Sequence, residues 1–249
     1  MARLQRLGEF IIETLYPKTC AGCGLRGAWV CETCEPQAVP LSSVPCCRRC
    51  GTPRIKNVCG CRGLHPNILH ARSCFPYSLW VADAVKRMKY EDESARAEHL
   101  GGYLAETIAT LGRADALVPV PLHPRKLRDR GYNQSQLLAE CAGKALDIPV
   151  LPLVKRHRAA PSQVGLKGAE RLGNVANAFS VDDRFVPRTD GRYILIDDVR
   201  TTGSTLNACV SALASAGVTR IDIATVALDM RPAELEVLNA LVASRIRVP

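Results

Sequence analysis

Between Asp115 and Leu228 short apolar runs alternate with amphipathic stretches. Leu117 to Pro121, Val150 to Val154, Tyr193 to Ile196 and Ile221 to Leu228 are β-rich and almost continuously apolar, a pattern that predicts strands buried on both faces. Gln134 to Ala145 and Ser204 to Ala216 repeat their apolar positions at helical spacing. In the second of these, Leu206, Cys209, Val210 and Leu213 form one stripe and Gly217 supplies the stop. Such alternation predicts an α/β domain with a mainly parallel sheet flanked by helices. Upstream, Leu79 to Thr110 is helical, broken near Tyr90-Glu91-Asp92-Glu93 and again at Gly101-Gly102. Arg72 to Tyr77 reads as an extended link, which sets the boundary between an N-terminal unit, residues 1–75, and the α/β domain, residues 76–249. At the front, Leu4, Leu7, Ile11 and Leu15 predict a short amphipathic helix that stops at Pro17.

The segment from Cys20 to Cys61 follows neither period, and nine of the twelve cysteines fall in it. Cys20-x2-Cys23 followed by Cys31-x2-Cys34 places two thiolate pairs on two tight turns, the arrangement a tetrahedral zinc ion needs. A second set reads Cys47-x2-Cys50 and then Cys59-x-Cys61, with Cys46 as an alternative to Cys47 and His65 as an alternative fourth ligand. Four cysteine ligands leave no open coordination position, so this zinc is structural, and a segment with so few large apolar residues depends on it to fold. Cys74, Cys141 and Cys209 stand alone and read as small buried hydrophobes.

The formal net charge is +9, concentrated at +5 between Cys20 and Cys74 and +6 between His123 and Arg171. That excess favours anionic partners. No apolar run approaches the ~18 residues of a membrane span, and Phe10-Ile11-Ile12 lies between Glu9 and Glu13 without a cleavage site behind it. The expectation is a cytoplasmic protein with no membrane insertion.

One segment carries specific chemistry. Tyr193 to Ile196 is a buried strand; Asp197 and Asp198 follow at its carboxyl end, then Val199, Arg200, Thr201, Thr202, Gly203, Ser204 and Thr205 lead into a helix. In open α/β sheets ligands sit at this edge. The backbone N–H groups of Thr201 to Thr205 would cradle a phosphate at the positive end of the helix, with Gly203 admitting the ligand close to the backbone. Asp197 and Asp198, facing outward beside it, would accept hydrogen bonds from vicinal sugar hydroxyls. A phosphate beside a diol describes a ribose 5-phosphate.

These residues resemble the 5-phosphoribosyl 1-diphosphate (PRPP) motif of type I phosphoribosyltransferases. With the cysteine knuckles, Phe75-Pro76-Tyr77, Arg87-Met88-Lys89-Tyr90, Val118-Pro119-Val120-Pro121, Arg128-Asp129-Arg130-Gly131-Tyr132-Asn133-Gln134 and Gln163-Val164-Gly165-Leu166, the chain from about residue 20 to 228 resembles the ComF family of competence proteins, which includes GntX-type members. It departs from that family at Cys59-x-Cys61, where Cys-x2-Cys is usual. The resemblance implies a type I phosphoribosyltransferase-like domain behind a small zinc-ribbon domain, with a role in natural transformation and DNA uptake. It also implies contact with single-stranded DNA beside a ComFA-type helicase. Asp197 and Asp198 would bind the ribose hydroxyls and serve as the catalytic pair, Thr201, Thr202, Gly203, Ser204 and Thr205 the 5′-phosphate, and Mg²⁺ would accompany PRPP. Leu122 and His123 match the diphosphate loop, with Arg125, Lys126, Arg128 and Arg130 behind them. Arg156, Arg158, Lys167 and Arg171 lie in a basic stretch that would close over diphosphate or meet DNA. Two other functions stay open: an active transferase that moves ribose 5-phosphate to a nitrogenous acceptor, and a zinc-ribbon adaptor on an inactive fold.

Overall fold

The two most apolar runs lie at the centre of the sheet. In the computed structural model, which describes residues 17–54, 59–91, 93–157 and 178–246, strands β5 (Arg192–Arg200) and β6 (Arg220–Leu228) pair in parallel. Strand β1 (Ile68–Pro76) flanks β6 and β2 (Ala116–Pro119) flanks β5, giving a wholly parallel sheet in the order β1-β6-β5-β2. All four carboxyl ends therefore meet at one edge.

Alternate residues of the central strands feed two cores. Ile194, Ile196, Ala224 and Val226 pack with helices α1 (Leu79–Tyr90), α2 (Arg96–Ala109) and, beyond the short α3 (Pro124–Arg130), α4 (Gln134–Leu146). Tyr193, Leu195, Ile221 and Ile223 pack on the opposite face under α5 (Ser204–Ser215), whose stripe of Leu206, Cys209, Val210 and Leu213 is fully sequestered. Gly217, at φ 86°, ends that helix as expected. Of the isolated cysteines, Cys74 and Cys209 are buried and Cys141 is half-buried. Among the described residues no helix is long and apolar enough to cross a membrane.

Four sequence expectations change. Arg72 to Tyr77 is no link: most of it belongs to β1, an edge strand that straddles position 75, because its alternate side chains find buried partners on both faces. Val150 to Val154 does not join the main sheet. Pro149 and Pro152 remove ladder donors, so Val150 makes only an isolated bridge to Leu117. The chain then turns away, and β3 (Val154–Arg156) pairs antiparallel with β4 (Phe179–Val181) in a separate two-stranded sheet. A further helix, α6 (Pro232–Ile246), follows the last expected strand; Pro232 opens it and Leu238 anchors it against Leu41 and Leu228. The expected amphipathic helix before Pro17 lies outside the described residues.

The fourth change is at Gly101-Gly102, which lies inside α2 instead of breaking it. A Cβ on Gly101 would fall 2.5 Å from the Cβ of Cys141 on α4, so the glycine lets two helices touch; at Gly102 nothing lies within 4 Å. Opposite effects follow. Thermal melts should show Gly101→Val destabilised by about 3 kcal/mol through overpacking and Gly102→Ala stabilised by about 1 kcal/mol through helix propensity.

Candidate functional site

Strand β5 delivers its two carboxylates to the carboxyl edge of the sheet in different settings. Asp198 is 3% exposed, its Oδ1 lies 2.8 Å from Lys89 Nζ at the end of α1, and its Oδ2 is buried with no partner among the described residues. Asp197 keeps a partial opening to solvent, accepts a 2.9 Å hydrogen bond from the Ser135 hydroxyl in the first turn of α4, and also accepts from the Asp198 amide. The expectation of two outward-facing acids is therefore corrected: successive residues of a strand point to opposite faces, and only Asp197 retains the opening. Burial, and next the charge of Asp198, push the Asp197 carboxyl up to about 7, against the pull of the Ser135 hydroxyl, the Asp198 amide and Lys89.

Beyond β5, Thr201 and Thr202 are exposed, Gly203 has φ 77° and α5 begins at Ser204. Among the described residues no side chain caps this helix start, although the Ser204 amide makes a long 3.4 Å contact to the Thr202 hydroxyl. A Cβ at Gly203 would meet nothing within 4 Å, so the glycine serves the left-handed backbone and the space beside it is open.

The loop after β2 reaches the same edge. The Val120 amide donates to the Ile196 carbonyl at 2.9 Å, and Asn133 donates to the Val120 carbonyl at 3.0 Å, fixing the entry to α4 beside Asp197. His123 caps α3, its Nδ1 accepting from the Arg125 amide at 3.2 Å. Desolvation and then the charges of Arg156, Arg125, Lys126 and Arg128 hold its pKa below the usual histidine range. Leu122 is half-buried, and Arg125, Lys126 and Arg128 are exposed. Arg130 bonds Gln134 and stacks over Tyr90, 5.4 Å from the ring centre, while Arg156 lies over Phe179 at 5.1 Å. Arg158, Lys167 and Arg171 lie outside the described residues. Lys89 and Ser135, which hold the two acids, carry no local sequence signal for that role. Lys89 stands in a motif noted only for its resemblance, and its approach to Asp198 depends on how α1 crosses the sheet.

The eight knuckle cysteines form two clusters, Cys20, Cys23, Cys31, Cys34 and Cys47, Cys50, Cys59, Cys61, with the sulfurs of each within 4.8 Å of one another. Tetrahedral zinc with Zn–S bonds of about 2.3 Å sets sulfurs about 3.8 Å apart. The separations Cys23–Cys31 of 3.7 Å, and Cys47–Cys61 and Cys50–Cys59 of 3.6 Å, fit that edge. Despite its single-residue spacing, Cys59-x-Cys61 closes the second cluster, at 3.1 Å between its sulfurs. Cys46 instead donates to the Leu41 carbonyl at 3.3 Å, and His65 Nδ1 accepts from the Asn67 amide, so neither belongs to the set.

The donor set also fits electrostatically. At Cys20 burial raises the thiol, but the amides of Cys23, Cys31 and Gly22 outweigh it and bring it down to about 6. The amide of Cys50 leads in bringing Cys47 to about 6, whereas Cys34, chiefly through burial, and Cys61, chiefly through Cys59, are pushed up to about 12. Four thiols this close ionise together only around a cation.

Arg96, 1% exposed, docks the first cluster: it donates to the carbonyls of Trp29 at 3.0 Å and Thr19 at 2.7 Å, stacks on the Trp29 ring at 4.7 Å and pairs with Glu93.

An acid pair and an uncapped helix start thus share the carboxyl edge of a parallel sheet in an α/β protein with two four-cysteine clusters in front. No family model matches the chain. It is 32% identical over 211 residues to competence protein F of Haemophilus influenzae, covering 78% of this chain and 88% of that protein. It is 27% identical over 208 residues to the DNA utilization protein YhgH of Escherichia coli K12, covering 79% and 89% of the two chains. A solved structure, the glutamine PRPP amidotransferase of Bacillus subtilis complexed with ADP and GMP, aligns over 54% of this chain and 26% of its own at 21% identity and a TM-score of 0.39. The chain belongs to the ComF family of competence proteins.

Proposed function

We propose that the chain binds PRPP with Mg²⁺ at the β5 edge and acts in DNA uptake in the cytoplasm, its basic surface contacting single-stranded DNA and a ComFA-type helicase. The observation that carries the reading is the buried Asp198 Oδ2 without a partner among the described residues, beside an open helix start. Burying a carboxylate oxygen unpaired is unfavourable unless a ligand hydroxyl completes it. The ribose diol would meet Asp197 and Asp198, and the 5′-phosphate would meet the amides of Thr201 to Thr205. Lys89 would neutralise one acid when the sugar is absent and turn to diphosphate when it is present. Bound Mg²⁺ would supply charge neutralisation for the diphosphate. The two cysteine clusters would each hold a structural zinc.

The test is calorimetric titration with PRPP and Mg²⁺, with and without a short single-stranded oligonucleotide. PRPP affinity that changes with DNA supports the reading. PRPP affinity indifferent to DNA favours an active phosphoribosyltransferase and a screen for nitrogenous acceptors, and no PRPP binding leaves the zinc-ribbon adaptor. For the DNA contact, reversing Arg128 and Arg130 to Glu should weaken binding and flatten its salt dependence by about two phosphate contacts. An unchanged salt slope would place DNA elsewhere.

A further inference from the structure

Two side chains leave the flanks of the phosphate loop and run to the second cysteine cluster. Arg200, the last residue of β5, is 5% exposed and donates from Nη2 to the carbonyl of the ligand Cys50 at 2.7 Å. Asn207, in the first turn of α5, donates from Nδ2 to the Gly63 carbonyl at 2.6 Å and accepts at Oδ1 from the His65 amide at 3.0 Å. Gly63 and His65 lie just past the ligand Cys61. One link thus enters the first half of the cluster and two meet the segment leaving it, and between Arg200 and Asn207 lies the whole of Thr201–Thr205.

The cluster is itself held rigidly. Gly51 has φ 65°, and a Cβ there would fall 2.3 Å from the Ala71 carbonyl oxygen of β1. The Ala71 amide donates to the Arg49 carbonyl at 2.7 Å, and the Arg49 side chain reaches the carbonyls of Ile68 at 3.2 Å and His65 at 3.1 Å. The first cluster is anchored elsewhere, through Arg96 of α2 and through Trp80 of α1, which donates to the Glu35 carbonyl at 3.2 Å.

An anion site made of backbone amides works only if the amides already converge before the ligand arrives. A glycine-containing loop at a helix start without a side-chain cap has little of its own to hold that shape, so it must be held from outside. We propose that Arg200 and Asn207 are positioning residues through which the metal-bound second cluster keeps the Thr201–Thr205 loop in its anion-binding shape. Anion affinity then depends on metal at Cys47, Cys50, Cys59 and Cys61. This rests on the anion-site reading above and adds its control.

Asn207→Ala cuts two of the three links at a partly exposed position, and Arg200→Gln cuts the third. Each variant should be measured for zinc content, for calorimetric affinity toward inorganic phosphate and toward PRPP with Mg²⁺, and for hydrogen exchange at the amides of residues 201–205. Zinc content should stay at the wild-type value, phosphate affinity should fall about tenfold or more, and the loop amides should exchange faster. Stripping metal from the wild type with a chelator should weaken phosphate binding comparably, whereas stripping Asn207→Ala should weaken it further by less than about threefold, because most of the link is already gone. Arg49→Ala loosens the same knuckle from β1 while leaving the Arg200 and Asn207 links in place; it should lower the melting temperature and weaken phosphate binding less than Asn207→Ala does. Wild-type affinity and exchange in Asn207→Ala would overturn the proposal, and that variant decides alone if Arg200→Gln fails to fold. If the wild type binds neither phosphate nor PRPP, the anion-site reading falls by itself. Exchange then decides: accelerated loop amides in Asn207→Ala uphold the clamp and unchanged ones overturn it.

Discussion

Asp197→Asn is expected to make the unliganded protein more stable at pH 8 and to abolish PRPP binding. In the unfolded chain this carboxyl ionises near pH 4, and in the fold it is pushed up to about 7. Between those values the folded state holds a proton that the unfolded state has released. The associated stability is fully present below pH 4 and is lost as pH rises through 7. Asparagine has no proton to lose, so its advantage grows across that window and levels off above it. Three pH units correspond to about 4 kcal/mol, and the partial opening of Asp197 to solvent reduces the expectation to about 2 kcal/mol, or several degrees in melting temperature. The amide oxygen can still accept from the Ser135 hydroxyl and the Asp198 amide, so the fold keeps both hydrogen bonds. The binding loss has the opposite sign because a sugar hydroxyl donates most strongly to an ionised acid. Wild-type PRPP affinity should for the same reason fall as pH drops below 7. Melts at pH 5 and pH 8 with calorimetry at both pH values check this; a variant no more stable at pH 8 than the wild type, or one that still binds PRPP, defeats it.

Removal of metal should cost more. Each cluster gathers four thiols around the space of one ion, and in small metal-dependent units the binding free energy, on the order of 10 kcal/mol, is folding free energy. The first cluster also covers Arg96, whose guanidinium is spent on the Trp29 and Thr19 carbonyls. If the knuckle opens, Arg96 loses both carbonyls and the Trp29 ring and keeps only Glu93, so the docking of the first cluster on α2 is lost with the metal. Chelation should therefore lower the melting temperature by more than about 10 °C, and atomic absorption should find two zinc ions per chain before it, one for each cluster. Cys34→Ser and Cys59→Ser should each lose one ion, whereas Cys46→Ser, whose thiol faces the Leu41 carbonyl, should lose none. Two ions retained in Cys59→Ser would disprove the second site.

The residues that carry chemistry were legible because their chemistry is local. Asp197 to Thr205 is a continuous strand, turn and helix start, and thiol pairs with one or two residues between them on a turn converge by short-range geometry alone. The stripe of α5 followed from helical spacing. Gly101 misled because propensity treats glycine as a breaker, whereas here it serves a contact with Cys141, forty residues away on α4. Strand β1 read as a link because its partner, β6, comes about 150 residues later in the chain.

The sequence by itself thus determined the alternation that makes the sheet, the acid pair and loop at the end of β5, and the two sets of cysteines, all encoded within a few residues of one another. Only the tertiary structure decided that Asp198 faces Lys89 while Asp197 faces Ser135, that Cys59 and Cys61 both reach the second cluster, and that Arg200 and Asn207 tie that cluster to the phosphate loop. Apart from the cysteines, those contacts join residues between 62 and 150 positions apart, and their existence depends on how helices cross the sheet and where the knuckles dock. No local pattern encodes such distances, because they are fixed by packing of the whole fold.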